Sequence, residues 1–169
     1  MTAVQIGESF VGSGAEAAHV NTVLGDRSGP VGTAWATALA SPSSGHSPFV
    51  AVLRPSLPVK PLTLFVSKAT VTDGGHGTMT WGAAQAGVAA GVADAVADGI
   101  VPVEHADSDV LIAAVWVNPA AEDAQAVYEN NRAATRAALE AGACAAPPLE
   151  DVLAARDNPS NPFFSPRTP

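Results

Sequence analysis

The residues of this 169-residue chain best suited to chemistry are polar side chains placed inside apolar stretches. His19 and Asn21 lie two residues apart in an alternating segment, so both point to one face of a predicted strand. Lys68 and Thr70 repeat that spacing in a second segment, and Gln85 lies among alanines at the start of a glycine-rich stretch. An imidazole exchanges protons near neutral pH, and amide, ammonium and hydroxyl groups bind polar ligands. These residues are candidates for an acid–base site, although each one alone also fits a structural role.

Well-known catalytic signatures are absent from the sequence. It has no G-x-S-x-G elbow, no Walker sequence, and no G-x-G-x-x-G that opens a helix after a strand. Its four histidines form no pair at i,i+4, so we predict no metal site. Cys144 is the only cysteine, which excludes an intrachain disulfide and a cysteine-based metal site.

Charge is scarce and unevenly distributed along the chain. Charged residues make up 14% of the sequence, where about 25% is usual, and the net charge is −8. Residues 94–169 hold twelve of the sixteen acids, whereas both lysines lie in the balanced first half. The acidity argues against nucleic-acid and anionic-membrane partners, and it favours the first half as the ligand-binding region. The low charge predicts either an oligomer or an unusually neutral surface.

The beginning of the sequence has no basic segment followed by an apolar one, so we predict no signal peptide. The most apolar long stretch, residues 83–100, is interrupted by acids and glycines and is a poor membrane span. We therefore expect a cytoplasmic protein.

The length fits one domain, residues 1–142, followed by a proline-rich tail, residues 143–169. The tail is expected to be loose or to dock on a neighbour. Strands are predicted over 3–11, 16–24, 49–53, 62–66 (continuing through Thr72) and 110–117. Helices are predicted over 29–40, 83–98 and 122–140. The first two strands should form a hairpin, and the run 110–117 should be buried on both faces.

A row of small residues, Ala83, Gly87, Gly91 and Ala95, follows one side of the predicted helix 83–98. Two glycines inside a helix cost roughly 0.5–1 kcal/mol each, so the row needs a packing or ligand reason. We expect another backbone to approach it closely, and the row is a candidate for a place near a contact between subunits.

Several blocks of the sequence, in fixed order, resemble the formaldehyde-activating enzyme family (5,6,7,8-tetrahydromethanopterin hydro-lyases). The matching blocks are residues 4–12 (VQIGESFVG), 14–21 (GAEAAHVN), 57–68 (LPVKPLTLFVSK), 84–89 (AQAGVA) and 94–102 (DAVADGIVP). The resemblance runs from about residue 3 to residue 141 and leaves the tail uncovered. Five blocks in one order make the resemblance specific.

The resemblance implies an α/β (α+β two-layer) domain with the ribosomal protein S5 domain 2-like fold, a mixed sheet packed against helices. It also implies a homopentamer that binds a reduced pterin between subunits. The implied reaction joins formaldehyde to tetrahydromethanopterin and yields the methylene derivative and water, with no metal. His19 matches the family's general acid. The positions that match its pterin contacts are Asn21, Val50, Lys68, Thr70 and Gln85.

Three positions in the blocks that carry the predicted site depart from the family pattern. The family usually has aspartate at Asn21, asparagine at Ala15 and histidine at Ala86. An amide at Asn21 removes a negative charge that would favour a protonated His19. These losses keep two alternatives open: a diverged enzyme acting on a different amine or carbonyl compound, and a non-catalytic pterin- or formaldehyde-binding protein. A Schiff base between Lys68 and formaldehyde is a weaker possibility.

Overall fold

A five-stranded mixed sheet lies at the centre of the computed structural model, which describes residues 3–71 and 73–167. The spatial order is β1-β2-β7-β6-β3, and only β6 and β7 run parallel. These strands are β1 (Gln5–Val11), β2 (Ala18–Asp26), β3 (Phe49–Val50), β6 (Leu62–Ser67) and β7 (Asp109–Trp116). A separate pair consists of β4 (Val52–Arg54) and β5 (Leu57–Pro58). The predicted mixed sheet with helices is confirmed.

The predicted hairpin is confirmed as β1 and β2. The two strands are antiparallel, and their register pairs Glu8 with Asn21 and Phe10 with His19. The connection contains Gly12 and Gly14, both at positive φ (86° and 68°), a conformation that glycine adopts without strain.

Five α-helices are found within the described residues. They are α1 (Pro30–Ala40), α2 (Gly74–Thr78), α3 (Gln85–Ala97), α4 (Ala124–Ala143) and α5 (Leu149–Ala155). A π-helical turn, Met79–Ala84, joins α2 to α3. The sequence predicted a helix only from residue 83. The helical run begins earlier because Asp73 caps α2, accepting a hydrogen bond from the backbone N–H of His76 at 2.9 Å.

Helices α3 and α4 form a layer over one face of the sheet. The core between them and the strands contains the inward residues of β2 and β7 together with Val88, Val92 and Ala138. A Cβ at Gly87 would lie 2.4 Å from the Tyr128 carbonyl oxygen, and one at Gly91 would lie 2.5 Å from that of Arg132. The small-residue row therefore serves contact with α4 inside the chain.

Strand β7 is fully buried on one face and only partly buried on the other, where Val110 is buried but the later residues are not, contrary to the prediction for residues 110–117. Leu111, Ala113 and Val115 are fully buried against the helices. Ile112, Ala114 and Trp116 alternate with them and keep partial exposure, because no helix layer covers that part of the other face.

Strand β6 ends at Ser67, earlier than predicted. Its continuation stops because the Ser67 hydroxyl donates a hydrogen bond to the Ala69 carbonyl at 2.7 Å and the chain bends there. The backbone N–H of Lys68 still donates to the Val115 carbonyl at 2.8 Å, which holds this lysine next to β7. Thr72, the predicted end of the strand, lies outside the described residues.

The tail contains α5 and a short turn in which Asn161 and Phe164 exchange two backbone hydrogen bonds of 2.8 and 3.1 Å. Cys144 follows α4 directly, and its side chain is exposed. Across residues 3–71 and 73–167, no helix has the length and apolar character needed to cross a bilayer.

Candidate functional site

The alternation of side chains on β1 and β2 places the candidate residues on the face opposite α3 and α4. A Cβ at Gly7 would lie 1.7 Å from the Ala138 carbonyl oxygen of α4, so Gly7 faces the helices. Its neighbour Glu8 must then face the other way, as must His19 and Asn21, which alternate with buried residues on β2. The two hairpin strands thus bring three polar side chains to one open surface.

Four polar side chains form a continuous chain of contacts on this surface. His19 Nε2 lies 2.8 Å from Glu8 Oε1, and His19 Nδ1 lies 3.2 Å from Lys68 Nζ. Lys68 Nζ also donates to Asn21 Oδ1 at 2.7 Å. The order Glu8–His19–Lys68–Asn21 joins the β1–β2 hairpin to the residue that directly follows β6. We call these four side chains the polar cluster.

Lys68 is the electrostatically unusual member of the polar cluster. Partial burial of its ammonium group lowers the pKa of Lys68, and the negative charge of Glu8 opposes part of that lowering. An ammonium group with a lowered pKa gives up its proton more readily than an exposed lysine does. Proton exchange at this position is therefore easier than at an ordinary surface lysine.

The polar cluster forms one wall of a cavity of about 550 Å³. Phe10 and Trp116 extend the wall from the sheet, and residues 160–163 of the tail close the opposite side. This volume is within the usual range for small-molecule sites, as is the combination of apolar walls with a few convergent polar groups. In the described part of the chain, no group of three or more His, Cys, Asp or Glu side chains is arranged to hold a metal ion.

Aromatic rings give the cavity flat apolar surfaces. Phe10 and His19 have ring centroids 6.0 Å apart, and Trp116 meets Phe163 of the tail edge-on at 5.8 Å. Phe163 nevertheless remains 79% exposed. Faces of this kind suit a planar heterocycle, because stacking and edge contacts add to the burial of apolar area.

The predicted site residues fall into two groups. His19, Asn21 and Lys68 come together in the polar cluster, whereas Val50, Thr70 and Gln85 do not line the cavity. Val50 pairs with Leu64 in β3.

Thr70 and Gln85 have hydrogen-bond partners elsewhere in the chain. The Thr70 hydroxyl lies 2.9 Å from His46 Nε2. The Gln85 side chain is 7% exposed and binds the backbone of Val52 twice, accepting at 2.6 Å and donating at 3.1 Å.

Glu8 and the tail segment are site residues that the sequence analysis did not single out. Glu8 and Phe10 lie two residues apart on a strand predicted as half-buried, so they share one face. Pairing that strand with the next would have placed Glu8 opposite Asn21. The tail gave no comparable signal, because its proline-rich composition predicts no particular partner.

Comparison with known proteins shows the family of this chain. The family model described as formaldehyde-activating enzyme (Fae) matches residues 6–164, which includes most of the tail. A protein from Methanosarcina barkeri named 5,6,7,8-tetrahydromethanopterin hydro-lyase is 41% identical over 158 residues, covering 94% of this chain and 89% of that protein.

Proteins named bifunctional enzyme Fae/Hps are similar over part of their length. The one from Methanosphaera stadtmanae is 40% identical over 160 residues, covering 95% of this chain and 39% of that protein. The one from Archaeoglobus fulgidus is 42% identical over 159 residues, covering 94% and 40%. This chain thus spans about two fifths of these bifunctional relatives. The family match covers most of the chain, and the chain belongs to the formaldehyde-activating enzyme family.

Proposed function

We propose that this protein is a hydro-lyase that joins formaldehyde to a reduced pterin of the tetrahydromethanopterin type. The observation that carries the proposal is the His19–Lys68 contact at the wall of an apolar cavity in a chain of this family. The related protein from Methanosarcina barkeri carries the name of this activity.

Protons are what this reaction needs from the protein. An amine nitrogen of the pterin adds to formaldehyde and gives an N-hydroxymethyl group. Loss of that hydroxyl as water breaks the C–O bond and requires a proton on the oxygen, because hydroxide is a poor leaving group. The second amine nitrogen then adds to the resulting iminium carbon and releases a proton. The sum is two N–H bonds and formaldehyde converted into an N–CH₂–N bridge and water.

His19 is proposed as the general acid of the dehydration step. A histidine side chain has a reference pKa near 6.5, which suits a group that gives and recovers a proton near neutral pH. The contact of His19 with the partly buried ammonium group of Lys68 supports this role, since a second proton-carrying group lies within 3.2 Å. The remaining task is orientation of the second nitrogen, which a fitted cavity provides.

Asn21 and Lys68 are proposed to bind the pterin from the polar cluster. Val50, Thr70 and Gln85 remain predicted pterin contacts, and they fit a site that lies between subunits of a homopentamer. Exposed apolar side chains, among them Ile6 at 68% and Trp81 at 53%, favour burial in such an assembly. A ribosomal protein S5 domain 2-like topology is proposed for the fold.

A different one-carbon acceptor is the second candidate. Asn21 occupies the place where the family usually has aspartate, and its amide oxygen is already bound to Lys68. An amide cannot accept a proton or attract a cationic intermediate as a carboxylate does. This substitution favours a diverged enzyme acting on another amine or carbonyl compound, or a binding protein without turnover.

A rate comparison tests the proposal. The protein is mixed with formaldehyde and either tetrahydromethanopterin or tetrahydrofolate, and formation of the methylene product is followed against the spontaneous reaction. We expect acceleration with at least one of the two pterins. If neither pterin is converted faster than in the spontaneous reaction but the pterin raises the thermal stability of the protein, the protein binds pterin without catalysing the reaction.

A further inference from the structure

Both ring nitrogens of His19 are engaged within the chain. Glu8 Oε1 lies 2.8 Å from Nε2, and Lys68 Nζ lies 3.2 Å from Nδ1. A carboxylate can only accept a hydrogen bond, so Nε2 must carry the hydrogen. The lone pair of a neutral His19 ring is then on Nδ1 and faces Lys68. Glu8 thus determines which nitrogen of His19 meets the ammonium group.

Lys68 completes the arrangement from the other side. Its ammonium group donates to Asn21 Oδ1 at 2.7 Å and is placed to donate to Nδ1 of His19. Because burial lowers the pKa of Lys68, transfer of its proton to Nδ1 costs less than it would at the protein surface. The two bases are close enough to hold one proton between them.

Glu8 supplies the negative charge among the described residues that line this cavity. Each packed element contributes a side chain to the wall: Glu8 comes from β1, His19 from β2 and Lys68 from the end of β6. Trp116 of β7 and residues 160–163 of the tail carry no charge. Among the described residues that line the cavity, titratable groups are therefore confined to Glu8, His19 and Lys68. Because residue 21 is an asparagine, the carboxylate that favours a protonated His19–Lys68 pair is that of Glu8 on β1.

We propose that Glu8 is a positioning residue of the dehydration step, holding the Nε2–H tautomer of His19 so that the required proton is shared by the His19–Lys68 pair. This proton passes to the hydroxyl oxygen of the N-hydroxymethyl group, the C–O bond breaks, and water leaves with the electron pair. The pair recovers a proton when the second amine nitrogen adds. The inference rests on the proposed function, since that function supplies the hydroxyl to be protonated.

Three variants separate the charge of Glu8 from its hydrogen bond. Glu8→Gln keeps an oxygen that can accept from Nε2 but removes the charge, whereas Glu8→Ala removes both. Glu16→Gln is the matched control, because Glu16 lies outside the cavity and its carboxylate accepts a long hydrogen bond of 3.4 Å from the Glu122 N–H. Thermal unfolding of all three establishes that they fold.

The first readout needs neither substrate nor activity. Nitrogen-15 spectra of protein labelled at histidine are recorded at about pH 8.5, two pH units above the reference histidine pKa, where a neutral ring shows its tautomer. We expect His19 to carry hydrogen on Nε2 in the wild type, in Glu8→Gln and in Glu16→Gln. We expect Glu8→Ala to lose this preference. Hydrogen on Nδ1 in the wild type, or an unchanged preference in Glu8→Ala, would overturn the proposal.

The second readout is the pH profile of kcat. Removal of the negative charge favours loss of the shared proton, so the alkaline limb in Glu8→Gln should move to lower pH by about 0.5 to 1 unit. A purely structural role would lower kcat equally at all pH values, and that result would contradict the proposal. Intact tautomer behaviour in a wild type that accelerates no condensation would overturn the proposed function but not the tautomer assignment.

Discussion

The two faces of the sheet have different roles, one in packing against the helices and the other in carrying the polar cluster. On the helix face, inward residues of β2 and β7 are almost fully buried, and glycines let α3 and α4 approach closely. On the open face, β1 carries Glu8 and β2 carries His19 and Asn21, with the His19 side chain 37% exposed and that of Glu8 59% exposed. The alternation of one hairpin thus separates stability from chemistry. Substitutions on the two faces should have separable effects.

Acidic residues of the second half, Asp94 and Asp98, make contacts that stabilise the helix layer. Arg132 binds Asp94 through two contacts of 2.6 and 2.8 Å, and Arg136 binds Asp98 at 2.7 Å, which ties α4 to α3 from outside. The Asp94 contact raises the pKa of Arg132 and lowers that of Asp94. The excess of acids therefore lies away from the cavity, as the charge distribution along the sequence suggested.

The largest expected effect comes from His19→Gln. Loss of a general acid should lower the catalysed part of kcat by about 10²- to 10⁴-fold, while the free energy of unfolding changes little because the side chain is partly exposed. Rate measurements and urea unfolding of the same preparation check both halves of this prediction. An equally active variant would remove His19 from the mechanism.

The opposite effect, a lower free energy of unfolding with an unchanged kcat, is expected from Gly91→Val on the helix face. The new side chain would meet the backbone of α4 and should lower the free energy of unfolding by about 1–3 kcal/mol. The control is Gly82→Ala in the π-helical turn, where the added Cβ meets no atom within 4 Å among the described residues outside its own turn. Urea unfolding compares the two variants, and kcat per folded molecule should equal that of the wild type in both. A large loss of kcat in folded Gly91→Val would show that the two faces are not independent.

The sequence predicted much of this arrangement because alternation is a local property. It placed His19 and Asn21 on one strand face. It also predicted the hairpin and a helix over residues 122–140, which the structure has as α4 (Ala124–Ala143). It missed Glu8 because the contact with His19 depends on the register between two strands. It placed Thr70 with Lys68 by period two, which failed where the Ser67 hydroxyl turns the chain. The tail was missed because its contact with Trp116 is long-range and leaves no periodic pattern.

Asn21→Asp tests the contact between residue 21 and Lys68 on the open face. A carboxylate at this position would lie beside Lys68 Nζ, where the amide oxygen is now at 2.7 Å, and would favour the charged ammonium group. We expect the alkaline limb of the kcat profile to move to higher pH by up to about 1 unit, with kcat at neutral pH changed by less than about tenfold. The profile is measured beside that of the wild type. A shift to lower pH would contradict the assigned contact.

The smallest expected effect is the pH dependence of stability carried by Lys68. Its pKa is lowered in the folded state, so between that pKa and the usual value near 10.5 the unfolded chain binds more protons and stability rises with pH. Lys68→Met should remove this rise, which is below about 1 kcal/mol because water screens the partly exposed group.

Urea unfolding between neutral pH and pH 10.5 measures this rise. Lys60→Met is the control, because the Lys60 side chain is 56% exposed. A rise that survives in Lys68→Met but is lost in Lys60→Met would contradict the burial of Lys68.

A crystal structure of the protein with bound tetrahydromethanopterin tests the central claim most directly. The account predicts the pterin ring on the open face, against Phe10 and Trp116, with its reacting nitrogens next to His19 and Lys68. A pterin bound on the other side of the molecule, in the groove of Asp94, Tyr128 and Arg132 along α4, would contradict it.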